Sequence, residues 1–206
     1  MSSQTLMNYL AGGAVEHDTP PLLLGELGLL RGVVRADLAL VGSAMLHGVE
    51  VKTARDSLRR LPQQVAGYSR VFHRVTLAAE ARHIARAAAL VPPWWGVVTL
   101  CPLSEEGEAA AHSSVPNSDP VLPAHANALV EVVRPGGENP ALEPRALCEL
   151  LWRAEALCLL DARGSARGVQ SKPRAAVWDR LATVLTLPEL SAAVCAALRA
   201  RRAGTP

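Results

Sequence analysis

The chain has 206 residues, of which 50% are hydrophobic and 19% are charged, and its formal net charge at pH 7 is +2. These values suit one compact globular domain, and the charge is too small to indicate a nucleic-acid partner by itself. No apolar run is long enough to span a membrane, and the N-terminus lacks a basic region followed by an apolar core. We therefore expect a cytoplasmic protein without a signal peptide or a membrane anchor.

The four cysteines give no sign of a metal site. Their spacing contains no Cys-x-x-Cys pair, which argues against zinc. Reduced, buried thiols of the kind found in cytosolic proteins are the expectation.

Two short helices are predicted at the N-terminus. The first covers residues 2–10 and is ended by Gly12 and Gly13. Pro20 and Pro21 then suit the first turn of a second helix, which continues to residue 30. Glu26 is the one carboxylate of that second segment.

Three charged side chains, Asp37, Glu50 and Lys52, interrupt two apolar runs at 33–41 and 49–53 that are predicted to be strands. Glycine and serine residues between the runs favour a hairpin. Because strand side chains alternate between faces, Glu50 and Lys52 point to one face. If Asp37 shares that face, two carboxylates and one ammonium group converge.

A cluster of this composition suits phosphodiester chemistry. Two carboxylates hold a hard cation such as Mg²⁺ and leave positions for water and phosphate. The metal polarises the phosphate and lowers the pKa of its bound water, and Lys52 can orient that water or stabilise the developing charge. The alternative, on the residues alone, is a solvated hairpin with Glu50 and Lys52 on its wet face.

Strands and helices alternate after this hairpin. The predicted segments are a helix beginning near Pro62, strands over 74–79, 95–100 and 128–133, and a helix over 81–90. Residues 103–126 have no periodicity and are predicted to be a loop. The alternation predicts an α/β core with a mixed sheet.

The chain is predicted to be helical from Pro144 onward. The helices are expected over 145–157, 172–185 and 188–202, and apolar residues recur at helical spacing in the first of them. We therefore divide the chain into a core at residues 1–140 and a helical C-terminal extension at residues 141–206 that packs on it.

The motif Asp37, twelve intervening residues, then Glu50-Val51-Lys52 resembles that of the PD-(D/E)XK nuclease superfamily. Gln64 and Tyr68 lie four apart on one helix face, as in the Gln-x-x-x-Tyr signature of RecB-type members. The chain is most similar to a group of small bacterial and phage proteins of this superfamily, which share Arg-x-Asp, Glu-x-Lys, Asp-x-Leu-x-Arg-Leu-Pro-x-Gln-x-x-x-Tyr and a Trp-Trp-Gly run. The corresponding residues are Arg35-Ala36-Asp37, Glu50-Val51-Lys52, the segment 56–68 and Pro93-Trp94-Trp95-Gly96.

This resemblance covers about residues 20 to 100 and departs from the superfamily's name at Ala36, where proline would stand. It implies a restriction-endonuclease-like α/β core, with a central mixed sheet flanked by helices and a C-terminal helical part. It also implies a deoxyribonuclease that uses Mg²⁺ or Mn²⁺. Asp37 and Glu50 would bind the metal, and Lys52 would position or activate water.

Two further groups of residues receive roles from the resemblance. Many members supply another acidic residue from a helix ahead of the first strand, so Glu26 is the candidate third metal ligand and catalytic residue; a surface glutamate is the alternative. Gln64 would bind a phosphate or a bound water, and Tyr68 would contact the substrate backbone or, alternatively, belong to the core. Separately from the resemblance, arginines cluster just after the motif and could track a phosphate backbone, with a solvated helical surface as the alternative; they are Arg55, Arg59, Arg60, Arg70, Arg74, Arg82 and Arg86. The first three are the nucleic-acid-binding candidates.

The intact set of Asp37, Glu50 and Lys52 favours a nuclease of DNA repair, recombination or phage-related DNA processing. One alternative is a nucleic-acid-binding module that keeps the fold and cleaves poorly. Another is a defence-system component that works with a partner subunit or as a homo-oligomer, because the chain has no helicase or methyltransferase motif.

Overall fold

The structure is a computed structural model that describes residues 4–14, 20–101 and 128–203. Within these ranges, one seven-stranded sheet carries helices on its faces. The strands are β1 (Gln4–Thr5), β2 (Leu22–Leu29), β3 (Val34–Val41), β4 (Leu46–Lys52), β5 (Arg74–Glu80), β6 (Gly96–Cys101) and β7 (Leu129–Arg134). The helices are α1 (Leu6–Ala14), α2 (Leu61–Val71), α3 (Ala81–Leu90), α4 (Pro144–Cys148), α5 (Arg153–Ala162), α6 (Arg174–Val184) and α7 (Leu187–Arg202), with 3₁₀ turns at Leu30–Gly32 and Leu58–Arg60.

The sheet is mixed, with the strand order β1-β7-β6-β5-β4-β3-β2. Strands β4, β5 and β6 run parallel, and α2 and α3 are the crossover helices between them. The remaining neighbours pair antiparallel. A parallel pair needs a crossover of this kind, whereas an antiparallel pair needs only a turn. The predicted α/β class with a central mixed sheet flanked by helices is confirmed.

The predicted hairpin of β3 and β4 is present, between the edge strand β2 and the central strand β5. Its ladder runs from Val41 opposite Leu46 to Leu38 opposite Val49. A turn hydrogen bond from the Gly42 amide to the Met45 carbonyl, at 2.9 Å, closes it.

Two apolar cores lie on opposite faces of the sheet. One face of β3 and β4 presents Leu38, Leu40, Val49 and Val51 toward the core that also holds Leu6 and Leu10 of α1. The other face packs in one continuous cluster with α2 and with helices α4 to α7. The site described below lies on the α2 side.

Residues 22–29 form an edge strand, so the predicted helix over this segment is wrong. Their sequence, Leu-Leu-Leu-Gly-Glu-Leu-Gly-Leu, contains two glycines that weaken a helix. The strand instead pairs with β3 along seven residue pairs. Tertiary pairing therefore decides the conformation of a segment whose apolar run fits either structure.

The N-terminal helix and the first C-terminal helix also differ from their predicted forms. Gly12 and Gly13 lie within α1 and do not end it. The long helix predicted over 145–157 is two helices, α4 and α5, because Trp152 is extended and its amide donates to the Glu155 carboxylate at 2.7 Å. The loop predicted over 103–126 lies outside the described residues, and the division of the chain at residue 140 stays a prediction.

None of the helices in the described ranges combines the length and the apolar character that crossing a bilayer requires.

Candidate active site

The site lies where β3 and β4 separate. Their ladder ends at the pair Leu38 and Val49, one position before Asp37 and Glu50 would face each other. In place of a backbone pair, the Asp37 carboxylate accepts a hydrogen bond from the Val51 amide, between Oδ2 and N at 2.8 Å. Asp37 thus holds the two strands together at the point where they diverge.

The side-chain alternation of β3 changes at Asp37. Val34 and Ala36 belong to the same core as Ala39 and Val41, although strict alternation would put the two pairs on opposite faces. Glu26 lies opposite Asp37 in the neighbouring strand β2. Its φ is 55°, and it is the one position between Leu22 and Leu29 that does not pair with β3. This irregularity gives Asp37 an orientation that the regular pattern of the strand does not predict.

Glu50 is the most enclosed charged residue of the described chain, with 0% of its surface exposed. Its Oε1 accepts from Lys52 Nζ at 2.5 Å, and its Oε2 accepts from the Tyr68 hydroxyl at 2.5 Å. Lys52 Nζ also donates to Gln64 Oε1 at 3.2 Å. A buried charge is costly unless it is paired and hydrogen-bonded, and here each carboxylate oxygen has a donor.

The electrostatics of Glu50 show how the charges act on each other. Burial raises the pKa of Glu50, and the nearby Asp37 carboxylate raises it further. Lys52 opposes both effects and lowers the pKa through its charge and its hydrogen bond, as does the Tyr68 hydroxyl. A buried carboxylate that a second, half-buried one repels is an arrangement that a shared cation relieves.

Helix α2 positions Gln64 and Tyr68. Pro62 lies in its first turn, and the two polar side chains follow at a spacing of four. At Gly67, a Cβ would lie 2.8 Å from a methyl of Val34, so the glycine lets the helix approach β3 closely. The Tyr68 ring packs between Phe72 and Trp95, at centroid distances of 5.3 and 5.7 Å.

The structure favours the second alternative for Tyr68, a place in the core. Its surface is 0% exposed, and its hydroxyl lies against Glu50 and the Arg35 carbonyl rather than a surface that a DNA strand can reach. Burial raises the pKa of Tyr68, and the Glu50 charge raises it further, so the hydroxyl remains a proton donor to Glu50. Tyr68 is therefore a positioning residue.

Glu26 does not join the other two carboxylates. Its side chain is 61% exposed and forms an ion pair with Arg35 at 2.7 Å on the edge strand. Among the residues that the structure describes, no group of three or more histidine, cysteine, aspartate or glutamate side chains is arranged to hold a metal ion. The predicted helix that carried Glu26 is a strand with its own salt bridge, and the role of Glu26 as a third ligand stays a prediction.

The predicted arginines differ in their placement. Arg59 and Arg60 line a cleft of about 450 Å³ together with Lys52, Asp56 and Ser57. Arg55 is exposed but does not line this cleft. The turn that carries them is fixed by Asp56, whose Oδ2 accepts from the Thr53 amide at 2.7 Å and from its hydroxyl at 2.6 Å.

A second group of residues lies beside this cleft. Arg82 and Arg86 on α3 flank His83 and line a neighbouring cleft with Arg59. Arg82 and Arg86 are among the arginines expected to track phosphates, and their spacing of four puts them on one helix face. The place of His83 beside them was not expected.

Together, the fold and this geometry define a class: a mixed α/β protein with a buried acid–lysine cluster where the strands of the β3–β4 hairpin separate. The family model described as bacteriophage P4 protein cII matches residues 3–106. The chain belongs to this family, and the match covers the hairpin, α2 and the Trp94-Trp95-Gly96 run. No curated protein and no solved structure gives a significant match.

Proposed function

We propose that this protein is a Mg²⁺- or Mn²⁺-dependent deoxyribonuclease that hydrolyses phosphodiester bonds of DNA. The observation that carries the proposal is the convergence of Asp37, Glu50 and Lys52 at the fork of β3 and β4, beside a cleft lined by Arg59 and Arg60. The resemblance to the PD-(D/E)XK superfamily gives the same three residues the same roles. A cytoplasmic location, and a place in DNA repair, recombination or phage-related DNA processing, belong to this proposal.

The donor set fits a divalent cation. Asp37 and Glu50 would hold it, and Mg²⁺ is commonly bound through one or two carboxylates with waters and substrate phosphates in the other positions. Each oxygen of Glu50 has one hydrogen-bond donor and keeps a second lone pair. A bound cation supplies charge neutralisation, polarises the phosphate and makes water a better nucleophile.

Lys52 supplies the group that acts on the substrate. Two of the three N–H donors of its ammonium are used by Glu50 and Gln64, which fixes its position. Its side chain lines the arginine cleft, so the third donor is available to a scissile phosphate or an attacking water. Arg59 and Arg60 would bind the flanking phosphates.

The test is incubation of the purified protein with linear, circular and single-stranded DNA in the presence of Mg²⁺, Mn²⁺ or EDTA. We expect metal-dependent cleavage that EDTA abolishes. Asp37→Asn should lose this cleavage while the fold, measured by circular dichroism, is kept. Asp161→Asn, an exposed substitution on α5, is the matched control and should cleave normally. Undiminished, EDTA-sensitive cleavage by a folded Asp37→Asn variant removes this site from the mechanism.

A second candidate function is a DNA-binding module that does not cleave, whether it acts alone, as a homo-oligomer or with a partner subunit. The specific observation in its favour is the complete enclosure of Glu50 by Lys52 and Tyr68. Binding of DNA in EDTA, with no cleavage of any substrate in Mg²⁺ or Mn²⁺, supports this candidate and contradicts the first.

A further inference from the structure

A second cleft lies between the 3₁₀ turn at Leu58–Arg60 and helix α3. Its volume is about 430 Å³, and three arginines line it: Arg59 from the turn, and Arg82 and Arg86 from α3. It adjoins the cleft at Lys52, with which it shares Asp56, Ser57 and Arg59.

The three guanidinium groups have no partner among the residues that the structure describes. Several other arginines are paired with carboxylates, as in Arg70 with Glu143 at 2.8 Å and Arg163 with Glu189 at 2.9 Å. Within residues 4–14, 20–101 and 128–203, by contrast, Arg59, Arg82 and Arg86 make no side-chain hydrogen bond or ion pair. Guanidinium groups held near one another without counter-charges are suited to an anion that accepts several hydrogen bonds.

His83 provides an independent indication that the cleft takes a ligand. Its residue surface is 8% exposed, it lines the cleft, and its Nε2 has no hydrogen-bond partner among the described residues. Buried polar groups in native proteins are almost always satisfied, so an unsatisfied one indicates a missing partner.

The charge balance of the cleft favours a doubly charged anion. Asp56 is the one carboxylate among the described lining residues, and its Oδ2 is already engaged by Thr53. Three arginines against one carboxylate leave a net positive cleft. An internal phosphodiester carries one negative charge, whereas a phosphate monoester carries close to two at neutral pH and has three terminal oxygens.

We propose that this cleft binds a phosphate monoester, and specifically the terminal phosphate of a DNA strand whose adjoining linkages lie at Lys52. The identity of the strand rests on the proposed function, but the binding of the monoester does not. Because Arg59 and the turn at Asp56 belong to both clefts, an end phosphate held by Arg82 and Arg86 places the strand beside the acid–lysine cluster.

The first experiment uses inorganic phosphate as the probe and calorimetry as the readout, with the full chain and no divalent metal. The double variant Arg82→Ala/Arg86→Ala should bind phosphate at least about tenfold more weakly, since two charge-assisted hydrogen bonds are lost. Arg167→Ala removes an exposed arginine outside the cleft and should bind as the wild type does. Equal phosphate affinity in the double variant and the wild type overturns the proposal.

His83→Leu separates a ligand role from a structural one. Because Nε2 has no partner in the described chain, this variant should keep the wild-type melting temperature and bind phosphate more weakly. Unchanged phosphate affinity in the folded variant contradicts the part given to His83.

The second experiment compares binding of a 5′-phosphorylated, a 3′-phosphorylated and an unphosphorylated oligodeoxynucleotide in EDTA, so that cleavage plays no part. We expect one end-phosphorylated strand to bind at least tenfold more tightly than the unphosphorylated strand, and Arg82→Ala/Arg86→Ala to remove that difference. Equal affinity for all three strands overturns the assignment to a strand end. A preference in a protein that cleaves nothing in Mg²⁺ or Mn²⁺ keeps this inference and contradicts the proposed nuclease.

Discussion

At the scale of single residues, Glu50 interacts with three other polar residues of the site. Lys52 and Tyr68 each donate to one of its oxygens, and Asp37 acts on it through charge. The burial of Glu50 means that a change in any of these neighbours alters a charge that water does not screen.

Lys52→Ala tests whether the lysine acts in the chemical step. Negative charge grows on the phosphate oxygens in the transition state, so loss of the ammonium should slow cleavage by roughly a hundredfold or more. Metal binding, measured by calorimetry, should persist, because an ammonium is a donor and not a ligand. Loss of metal binding with a proportionate loss of cleavage would make the role of Lys52 structural.

Tyr68→Phe tests the hydrogen bond to Glu50. The variant keeps the ring between Phe72 and Trp95 but leaves Glu50 Oε2 without its donor, so we expect a loss of about 1–3 kcal/mol in the free energy of unfolding. Chemical denaturation is the measurement. Tyr9→Phe, at a partly exposed position, is the control and should lower the free energy of unfolding by less than Tyr68→Phe does. Equal stability of Tyr68→Phe and wild type would mean that the hydrogen bond from Tyr68 to Glu50 does not contribute to the free energy of unfolding.

The sequence predicts part of this residue-scale picture. Glu50 and Lys52 are recognisable because a Glu-x-Lys strand is followed by Gln-x-x-x-Tyr at helical spacing. The orientation of Asp37 is not predictable from the sequence. It depends on the irregular pairing with Glu26 in β2, and the sequence of β2 predicts a helix instead of a strand. The burial of Tyr68 depends on packing against Trp95, a contact between residues 27 positions apart.

At the scale of elements, the site depends on the close packing of helix α2 and Phe72 against the hairpin of β3 and β4. A Cβ on Gly48 of β4 would lie 2.4 Å from the ring of Phe72, which directly follows α2. Gly67 makes the corresponding approach to Val34. Because neither glycine has a side chain, α2 lies close to the hairpin. Gln64 and Tyr68 can therefore contact Lys52 and Glu50.

Gly48→Ala should therefore force the Phe72 ring to move, at a cost of about 1–3 kcal/mol, typical of overpacking. Gly28→Ala is the matched control, because a Cβ there meets nothing within 4 Å. Thermal unfolding of both variants is the measurement. A Gly48→Ala protein that melts no lower than Gly28→Ala would show that the approach of β4 to Phe72 is not tight.

The strands and helices from β3 to β7 lie within a few residues of their predicted positions, because their apolar runs have the lengths and breakers typical of each element. The N-terminal segment was predicted wrongly, since an apolar run containing two glycines has no clear period. The break between α4 and α5 was also missed, because Trp152 and Glu155 define it through a local hydrogen bond within an otherwise helical pattern.

At the scale of the whole molecule, two histidines connect elements: His73 links β4 to the C-terminal helix α7, and His47 links β4 to β5. His73 Nδ1 accepts from the Leu46 amide at 3.1 Å, so its Nε2 carries the proton and donates to Ser191 Oγ of α7 at 2.8 Å. His47, which is buried, contacts the Thr76 hydroxyl at 2.9 Å through Nε2. Burial lowers the pKa of each histidine to about 4, and Arg74 also lowers that of His47.

These pKa values predict a loss of stability in mild acid. Between pH 6.5 and about 4, the unfolded chain binds a proton at each histidine and the folded chain does not, so the free energy of unfolding falls as the pH falls through this window. Each histidine contributes at most about 3 kcal/mol. His73→Gln and His47→Gln should each reduce the slope of stability against pH, measured by urea unfolding at several pH values.

Glu50 acts in the opposite direction, since its pKa is raised in the folded state. Its contribution is common to the wild type and both variants and cancels in the comparison. A slope unchanged in both histidine variants would contradict the neutral, buried state of these side chains.

The central claim is that Asp37 and Glu50 share one divalent cation at the fork of β3 and β4. The most direct measurement is anomalous diffraction from crystals of the protein soaked in Mn²⁺. The account predicts one strong anomalous peak within coordination distance of a carboxylate oxygen of Asp37 and one of Glu50, and its loss in Asp37→Asn. A structure at saturating Mn²⁺ with no peak between these carboxylates, from a protein whose cleavage of DNA is nevertheless abolished by EDTA, would contradict it.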